Sequence, residues 1–125
     1  MRFIIAAALL VSLAIPAAAA APGTAQNFLD RANRLKAKGP MALFDGDLKR
    51  LQAEAVAAGT SIRNERLAAE KAGQPKLYCS PNARASLGQN DFLSGLQAIP
   101  AAERSRISLK QAMLQILQKK YPCPR

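Results

Sequence analysis

The chain contains two cysteines, Cys79 and Cys123, and no histidine. Two cysteines without histidine cannot supply the four ligands of a structural zinc site. In an oxidising compartment we expect the pair to form a disulfide, which would close a loop of about 45 residues and stabilise the fold by about 4 kcal/mol in the chain-entropy model. In a reducing compartment the same residues would remain free thiols.

The amino terminus indicates which compartment applies. Residues 1–20 have the order of a secretory signal peptide: Arg2 supplies the positive charge, a long apolar run follows, and alanines come after Pro16. Cleavage after Ala19 or Ala20 fits the A-x-A pattern and leaves a mature chain of roughly 105 residues. An uncleaved membrane anchor is the alternative, because the run approaches the roughly 20 apolar residues that span a bilayer. We expect cleavage and a periplasmic protein.

The charge of the chain favours anionic partners. Lysine and arginine outnumber the acidic residues by 18 to 8, and a mature chain without Arg2 keeps a net charge of +9. Nucleic acid is the usual partner of such a charge, but export argues against it. The partners that remain are acidic protein surfaces and, in weak contact, anionic lipid head groups or wall polymers.

Residues 21–76 are predicted to form a basic, alanine-rich helical segment. Thr24 can cap a first helix, which Gly39 and the proline after it should stop. An apolar stretch over residues 41–44 then leads to a second helix, with Asp45 or Asp47 as its cap.

The length of that second helix is left open by the sequence. Gly59 either divides the region into two short helices or is tolerated inside one helix over residues 47–72, and both alternatives are equally consistent with the pattern.

Residues 77–125 are predicted to form a second helical segment closed by the disulfide. Ser86 or Asn90 caps a helix that ends at Pro100, and Ser108 begins the capping-box pattern of a last helix. Strand patterns are sparse, so the predicted class is all-α, a small domain of four to five helices. The strongest periodicity predicts a core face formed by Leu109, Ala112, Met113, Ile116 and Leu117.

Catalytic patterns are weak in this chain. Without histidine there is no Ser-His-Asp triad and no Cys-His pair, and no glycine-rich loop follows a strand. Asp45 and Asp47 are the closest carboxylate pair, and helix capping is the better explanation of both. We expect no enzymatic activity, no cofactor and no metal.

An ordered set of short motifs runs through the second half of the chain: Cys79-Ser-Pro81, Leu96-Gln-Ala-Ile99-Pro100, Ala101-Ala102, Gln111-Ala112 and Tyr121-Pro122-Cys123. With these motifs the segment resembles the Tai-type immunity proteins, which protect bacteria against cell-wall amidases delivered by type VI secretion. The resemblance covers roughly 45 residues. It implies a helical periplasmic protein, often a homodimer, that binds an amidase effector and blocks its active-site cleft with a protruding loop.

Two loops are the candidate inserting elements for such a partner. Residues 81–89 have Arg84 at their centre, and residues 100–108 carry Arg104 and Arg106. The alternative for all three arginines is simple solvation at the surface.

A second function from a different class is a basic envelope-associated adaptor or structural protein without catalytic activity. Its docking element would be the basic helix with Arg63, Arg66, Lys71 and Lys76, which would bind anionic lipid or wall polymer. Glu65 and Glu70 interrupt this basic face, whereas a membrane-surface helix usually pairs an uninterrupted basic face with bulky apolar residues.

Overall fold

The structure is a computed structural model that describes residues 20–81 and 87–124. Within these residues the prediction of an all-α fold is confirmed. The helices are α1 (Ala25–Ala37), α2 (Gly46–Lys71), α3 (Gln89–Ala98), α4 (Ala101–Arg104) and α5 (Leu109–Lys120), with a 3-10 helix, Gly39–Phe44, between α1 and α2. The predicted signal peptide lies outside the described residues apart from its last position.

The first two helices begin at predicted caps. The Thr24 side chain accepts a hydrogen bond from the backbone N–H of Asn27 at 3.1 Å. Asp45, rather than Asp47, caps α2 and accepts from the backbone N–H of Asp47 at 2.9 Å. Between them Gly39 has a φ of 57°, a left-handed conformation that glycine adopts without strain. These local bonds satisfy donors that a helix start leaves unpaired.

One long helix, not two short ones, occupies the region around Gly59. α2 runs unbroken over 26 residues and ends before Gly73, whose φ is 68°. Gly59 faces α5, where Met113 Sδ would lie 3.7 Å from an added Cβ. Packing of α2 on α5 offsets the intrinsic cost of about 1 kcal/mol for a glycine inside a helix.

None of the described helices is both long and apolar enough to cross a membrane.

The start of α3 differs from the prediction. Its N-cap is Gly88, which offers no capping side chain, and Asn90 is already the second residue of the helix. The N–H of Phe92 donates to the carbonyl oxygen of Gly88 at 2.9 Å, so the first helical turn has formed where a cap at Asn90 would need extended backbone. Ser86, the other predicted cap, lies outside the described residues.

The last helix confirms both its predicted cap and its predicted core face. Ser108 N–H donates to Gln111 Oε1 at 2.9 Å, and Gln111 N–H donates to Ser108 Oγ at 3.1 Å, which completes a capping box. All five apolar positions predicted for this face are buried. α5 is therefore a central element, and α1, α2 and α3 pack on it.

A single hydrophobic core joins the predicted segments 21–76 and 77–125. Ile62 of α2 and Leu96 of α3 are its most completely buried large side chains. Phe28 and Phe92 bring α1 and α3 together, with ring centroids 5.5 Å apart.

Two long-range ties close the fold. Cys79 and Cys123 form the predicted disulfide, with their Cα atoms 4.8 Å apart. At the other end of α5, Thr24 and Ser108 form an isolated antiparallel bridge. One of its hydrogen bonds joins the neighbouring residues, from Ala25 N–H to the Ile107 carbonyl oxygen at 3.0 Å. The bridge joins the start of α1 to the start of α5.

Candidate functional site

The 3-10 helix presents three large apolar side chains to solvent. Met41 is 66% exposed, Leu43 is 75% exposed and Phe44 is 83% exposed. We call these three residues the apolar ledge. Only Ala42 of this stretch packs partly against the core. From the sequence, residues 41–44 are predicted only as an apolar stretch leading to α2, and nothing in the pattern indicates that their side chains are exposed.

The ledge is held at both of its ends. The N–H of Lys38 donates to the Leu35 carbonyl oxygen at 3.0 Å, and the N–H of Asp45 donates to the Ala42 carbonyl oxygen at 3.0 Å. The side chains of Lys38 and Asp45 also form an ion pair across the segment. A segment fixed in this way loses little further conformational entropy when a partner covers it.

An open groove of about 980 Å³ begins beside the ledge. Its α2 side extends from Leu48 to Arg66, roughly 27 Å along the helix axis at 1.5 Å per residue. Residues of α3 and of the segment just before it line the facing side, and Leu43 of the ledge also lines it. The floor is apolar, formed by the buried side chains of Phe28, Phe92, Met113 and Leu117.

The charges on the groove have one sign. Lys36, Arg63 and Arg66 line it, and among the described lining residues there is no carboxylate. The Arg66 side chain is 14% exposed, and its guanidinium carbon lies 5.3 Å from the ring centroid of Tyr78. Its Nε is buried and has no hydrogen-bond partner in the described part of the chain, while Glu70 Oε1 is 4.0 Å away.

The predicted partner-binding arginines have different positions. Arg84 lies outside the described residues. Arg106 is exposed on the turn after α4. Arg104 is engaged inside the chain, where Nε donates to Gln26 Oε1 at 2.7 Å. Its Nη1 donates hydrogen bonds of 2.6 to 3.1 Å to three carbonyl oxygens at the end of α3, those of Leu96, Gln97 and Ile99. The structure thus uses Arg104 to hold the end of α3.

The close carboxylate pair is also engaged in structural contacts. Arg31 donates to both carboxylate oxygens of Asp47, at 2.6 and 3.1 Å, and to Glu54 at 2.8 Å. The hydrogen bond from Arg31 lowers the pKa of Asp47, and the hydrogen bond from Lys38 lowers the pKa of Asp45. A general acid and base pair needs pKa values shifted apart, whereas these two shift in the same direction.

Comparisons with protein-family models, with curated proteins and with solved structures gave no match to this chain. The chemistry of the apolar ledge and of the groove is therefore the basis for assigning a function.

Proposed function

We propose that this chain is a periplasmic immunity-like protein, a non-catalytic binding protein that occludes a cell-wall amidase effector. The apolar ledge is the element that inserts into the partner. The observation that carries the proposal is the exposure of Met41, Leu43 and Phe44 on a segment fixed at both ends.

The chemistry of the ledge suits an inhibitor. Binding energy at protein interfaces is concentrated in a few apolar and aromatic anchors that become buried in a partner pocket. Phe44 is the most exposed large apolar side chain in the described chain, and Leu43 and Met41 stand beside it. Contiguous exposed apolar groups on a soluble domain mark interaction sites.

The use of the acidic groups supports a non-catalytic role. Asp45 caps α2, and Asp47 and Glu54 share the guanidinium of Arg31. Each of these three carboxylates therefore has a structural partner that holds it in place.

The disulfide supports the proposed location. The bond between Cys79 and Cys123 belongs to an oxidising compartment, which agrees with the signal-peptide pattern of residues 1–20. The amidase as partner comes from the resemblance of the second half to Tai-type immunity proteins. The envelope-adaptor alternative is less well supported, because Glu65 and Glu70 interrupt the basic face and Ile62 is buried in the core, which leaves Leu67 as the exposed large apolar residue beside those charges.

The test is capture of a partner from periplasmic extract with the mature, oxidised protein as bait. We expect a wall amidase at near-stoichiometric yield, whose digestion of purified peptidoglycan stops when the bait is added. The double substitution Met41→Ser and Phe44→Ser should abolish both effects without lowering the melting temperature, because both side chains are exposed.

A matched control for this experiment is Leu67→Ser. Leu67 is also an exposed apolar residue, at 45%, but it lies on α2 away from the ledge and does not line the groove. This variant should capture and inhibit like the wild type. The proposal fails if no stoichiometric amidase is captured, or if the ledge variant inhibits as well as the control does.

A further inference from the structure

The groove has a chemistry of its own, distinct from that of the ledge. We propose that it binds a single-chain anionic amphiphile, such as a long-chain carboxylate, with the head group at Arg66 and Arg63 and the chain along α2 towards Leu48. This ligand site goes beyond the proposed function, because the ledge can insert into a partner whether or not the groove is filled.

The shape and lining of the groove fit the apolar tail. α2 supplies one long side of roughly 27 Å, and between Leu48 and Gly59 the α2 lining residues are uncharged. Buried Phe28 and Met113 continue the apolar surface below it. An elongated apolar surface of this kind, with few polar groups at defined places, is typical of small-ligand sites.

The arginines at one end fit an anionic head group. Arg66 is mostly buried, stacks on Tyr78 and keeps its Nε without a hydrogen-bond partner among the described residues, and Arg63 lies one helical turn earlier on the same side. A carboxylate placed there would supply the acceptor that Nε of Arg66 lacks, because Glu70 Oε1, at 4.0 Å, is beyond hydrogen-bond distance. Charge-assisted hydrogen bonds from a guanidinium are among the stronger polar contacts in proteins.

Charge complementarity selects the anionic amphiphile over other occupants. A second copy of this chain carries the same net charge of +10, so two grooves and their surroundings would repel. A cationic or neutral amphiphile would fill the apolar part and leave Nε of Arg66 without a hydrogen-bond partner. Arg63 and Arg66 lie together at one end of the α2 side and match one head group, while Lys36 is the remaining cation of the lining.

The experiment uses the mature, oxidised protein and dansyl-undecanoate as a fluorescent probe. The competitors are dodecanoate, dodecyltrimethylammonium and dodecyl maltoside, each below its micelle concentration. We expect one probe bound per chain, displaced by dodecanoate at concentrations roughly tenfold lower than those at which dodecyltrimethylammonium displaces it.

The variants distinguish recognition of the head group from binding of the apolar tail. Arg66→Gln, and Arg63→Gln as a second variant that does not depend on the Tyr78 contact, should weaken dodecanoate binding by roughly tenfold or more and leave dodecyl maltoside binding unchanged. Thr60→Trp, at an exposed lining position, should block the binding of all three competitors, dodecanoate, dodecyltrimethylammonium and dodecyl maltoside. Lys71→Gln removes an exposed cation of α2 outside the groove and should change the affinity by less than about twofold.

Three outcomes would overturn the proposal. They are equal competition by the cationic and anionic chains, wild-type affinity in both arginine variants, and no binding of any amphiphile. The last outcome would leave the groove to an acidic helix of a protein partner. The ledge variant Met41→Ser and Phe44→Ser should bind the probe normally, so this site and the proposed function can fail separately.

Discussion

Gly95 of α3 faces Ile116 of α5 so closely that a Cβ atom added to Gly95 would lie 2.8 Å from Cγ1 of Ile116. The two helices meet at this contact. Gly95→Ala should therefore lower the free energy of unfolding by about 1 to 2 kcal/mol, because overpacking outweighs the gain in helix propensity. Urea denaturation followed by circular dichroism measures the change.

The matched control is the other helical glycine that faces α5. A Cβ on Gly59 would meet Met113 Sδ at 3.7 Å, an ordinary contact, so Gly59→Ala should be neutral or stabilising by up to about 1 kcal/mol. Ile116→Ala alone should cost about 2 to 5 kcal/mol. Combined with Gly95→Ala it should cost less than the sum of both single changes, and strict additivity would contradict the predicted clash.

Arg104 is expected to stabilise the folded chain. Its guanidinium serves three carbonyl oxygens at the end of α3, so Arg104→Met should reduce the free energy of unfolding by about 1 to 3 kcal/mol. Arg106→Met, at an exposed position of the same turn, should stay within about 0.5 kcal/mol of the wild type. Equal melting temperatures for the two variants would show that the Arg104 contacts contribute nothing.

Acid should weaken the fold through the carboxylates at the start of α2. The pKa of Asp47 is lowered by Arg31 and that of Asp45 by Lys38, so the unfolded chain binds protons more readily than the folded one. Their stabilisation is fully present above the unfolded pKa of about 3.9 and is lost as the pH falls through the folded value. Asp47→Asn should flatten the loss of stability between about pH 5 and pH 2. An acid profile identical to that of an Asp30→Asn control would contradict this.

Removal of the disulfide should destabilise the chain substantially. Cys79→Ser opens a loop whose ends are 44 residues apart, at a cost of about 4 kcal/mol in the chain-entropy model. The melting temperature of the variant should match that of the reduced wild type and lie well below that of the oxidised wild type. An unchanged melting temperature would show that the native state does not depend on the bond.

Much of the fold could be predicted because its signals are local. Thr24, Asp45 and Ser108 cap helices through bonds to residues two or three positions later, and the periodicity of α5 lies within one helix. The disulfide is predicted from the number of cysteines and from the signal-peptide pattern of residues 1–20. These features need no knowledge of which helices meet.

Features that depend on packing between helices could not be predicted. The continuity of α2 through Gly59 depends on its contact with α5, and the role of Arg104 depends on where α3 ends in space. The apolar ledge is the clearest case. The residues around Ala42 have the composition of a core segment, and only the register of the 3-10 helix decides that Ala42 packs inward while Leu43 and Phe44 face solvent.

The central place of α5 has a consequence for how the chain is made. α5 packs on α1, α2 and α3. The Thr24–Ser108 bridge lies at its start, and the Cys79–Cys123 disulfide lies just after its end. A chain that emerges from a ribosome or a translocation channel presents α2 well before α5, so the side of α2 that carries Ile62 stays uncovered in the interval. Stable closure is thus postponed until α5 has been made, and a truncation inside α5 should unravel the domain instead of shortening it.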